Sequence, residues 1–399
     1  MSNYLGLAQL RTEIPLTTER VELRDGLFVK NFTHVSQSHG LLANIDPSLG
    51  HLALGPTAED PDYFALYHQQ DKDIVECQTF RYHLMLEEGV KPQSLIFLIH
   101  GFNERSWSKY MPWAAHLAKR NKAAVLMFPM AFHMNRSPKL WNDTRAMKKV
   151  SFERQKLYPD VLCSTLSNAA ISVRLQANPS RFFWSGLVAY HDIVDLATSI
   201  RAGGFADLDP NIKLHFFAYS IGAFLAEIVL FANANSLFED SKLVAFCGGP
   251  VFNRLSPVTR FILDSEANVR LYSFLVEHLE SHRRADPELA KHLSDSEPAG
   301  RNFRCLLNYR VDRLYREERF RELANRVYGL AMAQDEVVPP YEIIGTLRGT
   351  QRDINIPVDI VDCPYPTQHE DPFPVAGPNK EVAKIWLDKV LRMAAEFLA

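Results

Sequence analysis

A chain of 399 residues, 47% of them hydrophobic, can bury a large core, either as one α/β domain with insertions or as two ordinary domains. Its net charge of -3 arises from acidic and basic residues mixed throughout, with no basic stripe to displace counterions from a phosphate backbone, which argues against nucleic acid as a partner. Residues 1–16 lack the charged-then-apolar order of a secretion signal and no stretch reaches the roughly 18 apolar residues of a membrane span, so the expectation is a soluble, cytoplasmic protein without integral membrane contact, its five cysteines reduced and used in packing.

In chain order, residues 17–35 read as one or two strands with a turn at Asp25-Gly26, and a loop rich in Gly, Pro and Asp follows at 39–62. Residues 74–86 alternate like a half-exposed strand. Residues 1–73 are therefore assigned to N-terminal edge strands and loops, and 74–399 to the core. From residue 94 the pattern changes, because 94–100 (SLIFLIH) and 123–128 (AAVLMF) are continuous β-favouring runs around a helical pattern at 113–119. Runs apolar on both sides suit a parallel sheet covered by helices on each face. The same grammar continues with a strand at 212–219, a helix at 221–233, strands at 242–247, 326–333 and 356–361, and a last amphipathic helix at 380–398. That helix is expected to turn Val382, Ile385, Trp386, Met393 and Phe397 to one side. Two segments, 131–185 and 250–321, are too long for simple connections. They are expected to form helices beyond the strand tips, where open α/β sheets bind ligands, as a cap or lid.

The string Leu214-His215-Phe216-Phe217-Ala218-Tyr219-Ser220-Ile221-Gly222 runs a strand straight into an apolar helix with a serine at the junction. A sharp turn there lifts the hydroxyl clear of the backbone, and the helix N-terminus offers unpaired N–H groups to a developing oxyanion. Small flanking residues are needed, and Ala218 and Gly222 supply them. The plain alternative is an ordinary N-cap serine. Ser185, in Arg181-Phe182-Phe183-Trp184-Ser185-Gly186, is a rival at the end of a shorter run, and is read as an N-cap. Three further strings sit at strand ends: His100-Gly101-Phe102-Asn103, Asp335-Glu336-Val337-Val338-Pro339, and His369 in Tyr365-Pro366-Thr367-Gln368-His369.

Together these resemble the α/β-hydrolase superfamily of serine hydrolases, with esterases and lipases among them, although Ala218 stands where the elbow pattern most often has glycine. The resemblance covers about residue 74 to the C-terminus. It implies an α/β-hydrolase fold, Ser220 as nucleophile, His369 as general base and Asp335 as the acid that orients the base, in the chain order Ser, Asp, His. Glu336 is the adjacent competitor for the acid. It also implies an oxyanion hole from the N–H groups of Phe102 and Ile221, supported by His100, Gly101 and Gly222. The strings Phe132-His133-Met134-Asn135-Arg136 and Phe246-Cys247-Gly248-Gly249, with His100 to Trp107, are similar to those of an uncharacterised bacterial family within the superfamily. The implied reaction is cleavage of an ester or related acyl bond in a small-molecule substrate, with no metal or organic cofactor. Thioesterase and peptidase chemistry pass through the same kind of intermediate, and a binding protein on the same fold is a further alternative.

Asn103, Tyr219, His133 and Arg136 are candidates for substrate contact, with structural bonding of the insertion the equal alternative for the last two. Trp141, Phe182, Phe183 and Trp184 could line an acyl pocket or pack the cap onto the core. His278 and His282 have helical spacing for a metal, but their context EHLESHRR reads as a solvated face. Self-association is left open.

Overall fold

The computed structural model describes residues 10, 14, 15, 17–45 and 59–399. The sequence expectations for residues 1–16 and for the middle of the 39–62 loop lie largely outside them. Nine strands form one sheet: β1 (Arg20–Glu22), β2 (Leu27–Val35), β3 (Thr79–Glu87), β4 (Ser94–Ile99), β5 (Ala124–Phe128), β6 (Lys213–Tyr219), β7 (Leu243–Phe246), β8 (Val327–Met332) and β9 (Val358–Val361). Their order is β1-β2-β3-β5-β4-β6-β7-β8-β9. The first three are antiparallel to their neighbours, and β4 to β9 are mutually parallel. Every residue of β4, β5, β7 and β8 is buried, as a sheet covered on both faces requires. Helices Met111–Asn121 and Lys380–Leu398 pack together on one face. Arg181–Arg201 and Ile221–Ala232 cover the other. The sharp serine turn after a central parallel strand completes the α/β-hydrolase fold.

Two expectations change. Residues 75–78 are a short helix, and β3, which follows it, is mostly buried rather than half exposed. It lies inside the sheet, paired with β2 along its whole length and with β5 on the other side. In the last helix the buried stripe is Ala383, Leu387, Val390, Leu391, Ala394 and Leu398, while Ile385 is exposed. Val382, Trp386, Met393 and Phe397 only flank it. The small alanines let the helix axis approach the sheet, so the larger side chains are turned to its margins.

Segment 131–185 contains helices Thr144–Leu157 and Ala169–Ala177 and the start of Arg181–Arg201, and segment 250–321 contains a chain of short helices beginning with Ser265–Tyr272. The two are fastened to each other. Arg154 donates to both carboxylate oxygens of Asp264 at 2.6 and 2.7 Å, and both residues are fully buried. Such a pair costs several kcal/mol to desolvate, so losing one partner would leave a charge stranded. Asn168 adds a bond to the Thr259 carbonyl. Ser185 lies inside the Arg181–Arg201 helix, its hydroxyl bonded back to Phe182 O at 3.3 Å, and so is not an N-cap. All five cysteines are free, four of them buried. Among the described residues no helix is long and apolar enough to cross a membrane.

Several histidines are buried with the core, and burial holds them neutral: His83 falls from the ordinary 6.5 to about 3, and His116, His133 and His215 to about 4. Unfolding frees each to protonate near its ordinary value, so the unfolded chain binds more protons than the folded one between about pH 4 and 6.5. Stability is then complete above that window and falls as pH drops through it. Burial of Glu227, whose carboxyl is raised well above 4.5, and of Asp195, which is also raised, acts in the opposite sense but for fewer groups. The melting temperature is expected to fall by several degrees from pH 7 to pH 5. A melting temperature that holds or rises over that range would contradict this account.

Candidate active site

β6 ends at Tyr219, and the helix Ile221–Ala232 starts two residues later. Ser220 between them has φ 56 and ψ -125, a conformation that costs a non-glycine residue on the order of 1–3 kcal/mol. It stands in the N-cap position, yet its side chain caps no backbone N–H. Three glycines make the turn possible by close approach. A Cβ at Gly222 would lie 2.7 Å from His100 O, one at Gly248 2.6 Å from Ser220 O, and one at Gly101 3.0 Å from the Tyr219 ring. The contact at Gly248 was not assigned a role by sequence reasoning. Its only signal was the Gly248-Gly249 pair closing a strand.

The Ser220 hydroxyl is 2.8 Å from Nε2 of His369, and Nδ1 of His369 is 2.7 Å from Oδ2 of Asp335. Asp335 accepts two further bonds at Oδ1, from the N–H groups of Val337 and Val338 at 3.0 and 2.9 Å. Both carboxylate oxygens thus have partners, three bonds in all, and the carboxylate is oriented by the turn that follows β8. Glu336, the competitor, is exposed. His369 and Asp335 are buried, and the imidazole stacks on Tyr219 with ring centroids 5.4 Å apart.

The N–H groups of Phe102 and Ile221 have no hydrogen-bond partner among the described residues. Their carrier turn is held from two sides. His100, kept neutral by burial, donates from Nδ1 to Gly101 O at 2.7 Å and accepts at Nε2 from Met130 N at 3.0 Å, which joins the ends of β4 and β5. Gly101 N donates to the Tyr110 hydroxyl at 2.9 Å, which donates to Glu104 at 2.8 Å. Glu104 pairs with Lys109, and Lys109 donates to Glu370 O at 2.9 Å. A continuous polar chain thus runs from the Phe102 turn to the residue beside His369. Glu104, Lys109 and Tyr110 escaped sequence reasoning because nothing in their local spacing links them to a loop more than 250 residues away.

Of the candidates for substrate contact, only His133 faces a cavity. Asn103 instead donates to Ser167 O at 2.8 Å and Phe261 O at 2.6 Å, fastening both insertions to the Phe102 turn. Arg136 is completely buried, paired with Asp192 at 2.9 Å and bonded to the Pro129 and Cys77 carbonyls. Tyr219 lies buried beneath His369. These three are corrected to structural roles, since the Asn103 amide N–H groups and the terminal guanidinium nitrogens of Arg136 have partners inside the fold and Tyr219 is buried under the imidazole. His278 is exposed and His282 packs on the Phe274 ring. The one carboxylate-and-histidine grouping suited to a cation among the described residues, His34 with Asp192 and Asp195, already has the Arg136 guanidinium on Asp192.

Over residues 28–399 the chain matches a family of unknown function, DUF6051. The chain belongs to this family. The match starts within β2, so it takes in most of β2 and all of β3 but not β1. No curated protein matches the chain. Among solved structures it is similar to carboxyl esterase 2 of the mycorrhizal fungus Tuber melanosporum, at 12% identity over 81% of this chain and 82% of that one, with a TM-score of 0.45. It is also similar to an esterase of Pyrobaculum calidifontis, at 11% identity over 99% and 90%, with a TM-score of 0.43.

Proposed function

We propose that the chain is a serine hydrolase that cleaves an ester or related acyl bond through an acyl-enzyme. The observation that carries this reading is the unbroken contact from the Ser220 hydroxyl through His369 to Asp335, 2.8 and 2.7 Å, at a strained strand-to-helix turn. His369 Nε2 takes the hydroxyl proton as Ser220 Oγ attacks the acyl carbon, and Asp335 holds the proton of Nδ1 so that Nε2 is the basic nitrogen. The N–H groups of Phe102 and Ile221 receive the oxyanion, and His369 returns its proton to the leaving group. Water activated by the same imidazole then releases the acid. The enclosing cavities favour an ester over a peptide, because their walls are mostly apolar and offer few groups to pair with a second backbone amide.

A fluorophosphonate probe tests the reading. The folded protein is expected to be labelled at Ser220 and to turn over p-nitrophenyl esters faster than aminoacyl p-nitroanilides. Folded protein that takes no label would favour a binding protein on this fold, and preferential cleavage of the anilides would favour a peptidase.

A further inference from the structure

Two cavities meet at the candidate site. One, of about 560 Å³, is bounded by Ser220 itself and reaches Phe252 and Ile262. The other, of about 620 Å³, starts from the same oxyanion turn and reaches Phe183, Tyr190 and Phe303. No charged side chain lines either one, histidine apart, and the one histidine, His133, is held neutral by burial, at about 4.

The wall between the two is aromatic. Phe102, Ile221, Phe224 and Phe182 border both cavities. Phe182 is the member that belongs to an insertion rather than to the sheet's own loops, sitting in the first turn of Arg181–Arg201. Its ring touches Phe252, a wall of the first cavity, at 5.4 Å between centroids, and Phe303, a wall of the second, at 6.2 Å. It also borders a third, smaller space that runs toward Trp141. Phe182 and Phe102 are thus the two side chains that border all three spaces, and of these Phe182 is the one carried by an insertion.

Resting on the hydrolase reading above, we propose that the substrate is an ester apolar on both sides of the scissile bond, its acyl and alcohol parts occupying separate chambers, and that Phe182 is a specificity-determining residue that limits acyl length. A charged group in either chamber would lose its water without gaining a partner, which disfavours anionic and cationic esters. An acyl chain longer than one chamber meets the Phe182 ring. Removing that ring joins the chambers and makes room.

The test is kcat/KM on a p-nitrophenyl ester series from acetate to palmitate, for the wild type, Phe182→Leu and Phe182→Ala, with fluorophosphonate labelling measured on each. The ratio of laurate to butyrate kcat/KM is expected to rise about tenfold or more in Phe182→Ala, with Phe182→Leu intermediate. General damage to the fold would lower both esters together and leave that ratio alone. Wild-type protein should also cleave p-nitrophenyl butyrate at least about tenfold faster than the hemisuccinate, which carries a carboxylate. An unchanged ratio in a Phe182 variant that still labels, or a hemisuccinate cleaved as fast as the butyrate, would overturn the proposal while leaving the hydrolase reading intact. Wild-type protein that does not label would instead remove the reading on which it rests.

Discussion

Ser220→Ala and His369→Ala are each expected to lower kcat at least about ten-thousandfold, and the double variant is expected to be no worse than either alone. The reason is that the two side chains perform one proton transfer. With Oγ gone there is nothing to attack, and with the imidazole gone the hydroxyl keeps its proton, so the second loss removes nothing further. The serine change should leave folding intact: Ser220 forms no cap with the helix it precedes, and removing its hydroxyl leaves the anchoring bond from Ser220 N to Phe246 O. Steady-state and single-turnover rates on a p-nitrophenyl ester, with melting temperatures as control, provide the measurement. Singles that lose less than about a hundredfold, or a double variant whose loss is the product of the two, would show that the residues do not act as a unit.

Asp335→Asn is expected to cost about ten-thousandfold in kcat with little effect on folding, and the geometry gives the cause. Oδ1 of Asp335 accepts from two backbone N–H groups, at Val337 and Val338. An asparagine must turn its carbonyl oxygen toward those donors, since its amino group there would oppose both. Its amino group then faces Nδ1 of His369, where the carboxylate oxygen stood at 2.7 Å. Nδ1 has to accept, the proton moves to Nε2, and the nitrogen beside Ser220 becomes a donor that cannot act as base. Nitrogen chemical shifts of His369 report the tautomer directly, independently of turnover. An Asp335→Asn protein that keeps the proton on Nδ1, or keeps more than about a tenth of the activity, would contradict this role for Asp335.

Much of the fold was legible because a parallel sheet leaves a local trace. The runs at 94–100 and 123–128 are apolar without alternation, and they lie where β4 and β5 lie, every residue buried. The turn at Asp25-Gly26 was legible for a similar reason, as both residues have positive φ. Where the reading failed, the deciding contact came from elsewhere in the chain. Residues 74–86 read as half exposed because apolar and polar residues alternate along them. The sheet instead continues past β3 through β2, and Asn31 in β2 satisfies His83 at 2.6 Å. The last helix has two apolar stripes side by side, and only the distance to the sheet selects the one rich in alanine.

At the candidate site the division falls along the same line. By its sequence alone, the chain determined which residues are chemically able to act: a serine between small neighbours at a strand-to-helix junction, an acid after one strand and a histidine after the next. Those properties depend on a few consecutive residues, so they can be read consecutively. Tertiary structure alone decided that residues 149 positions apart would stand 2.8 Å from one another. It also turned Asn103 and Arg136 away from substrate, Asn103 to brace the insertions and Arg136 to pair with Asp192. Whether a polar side chain is free to meet a ligand depends on which donors and acceptors surround it after folding, because a buried group that finds a partner within the protein is no longer available to one outside it.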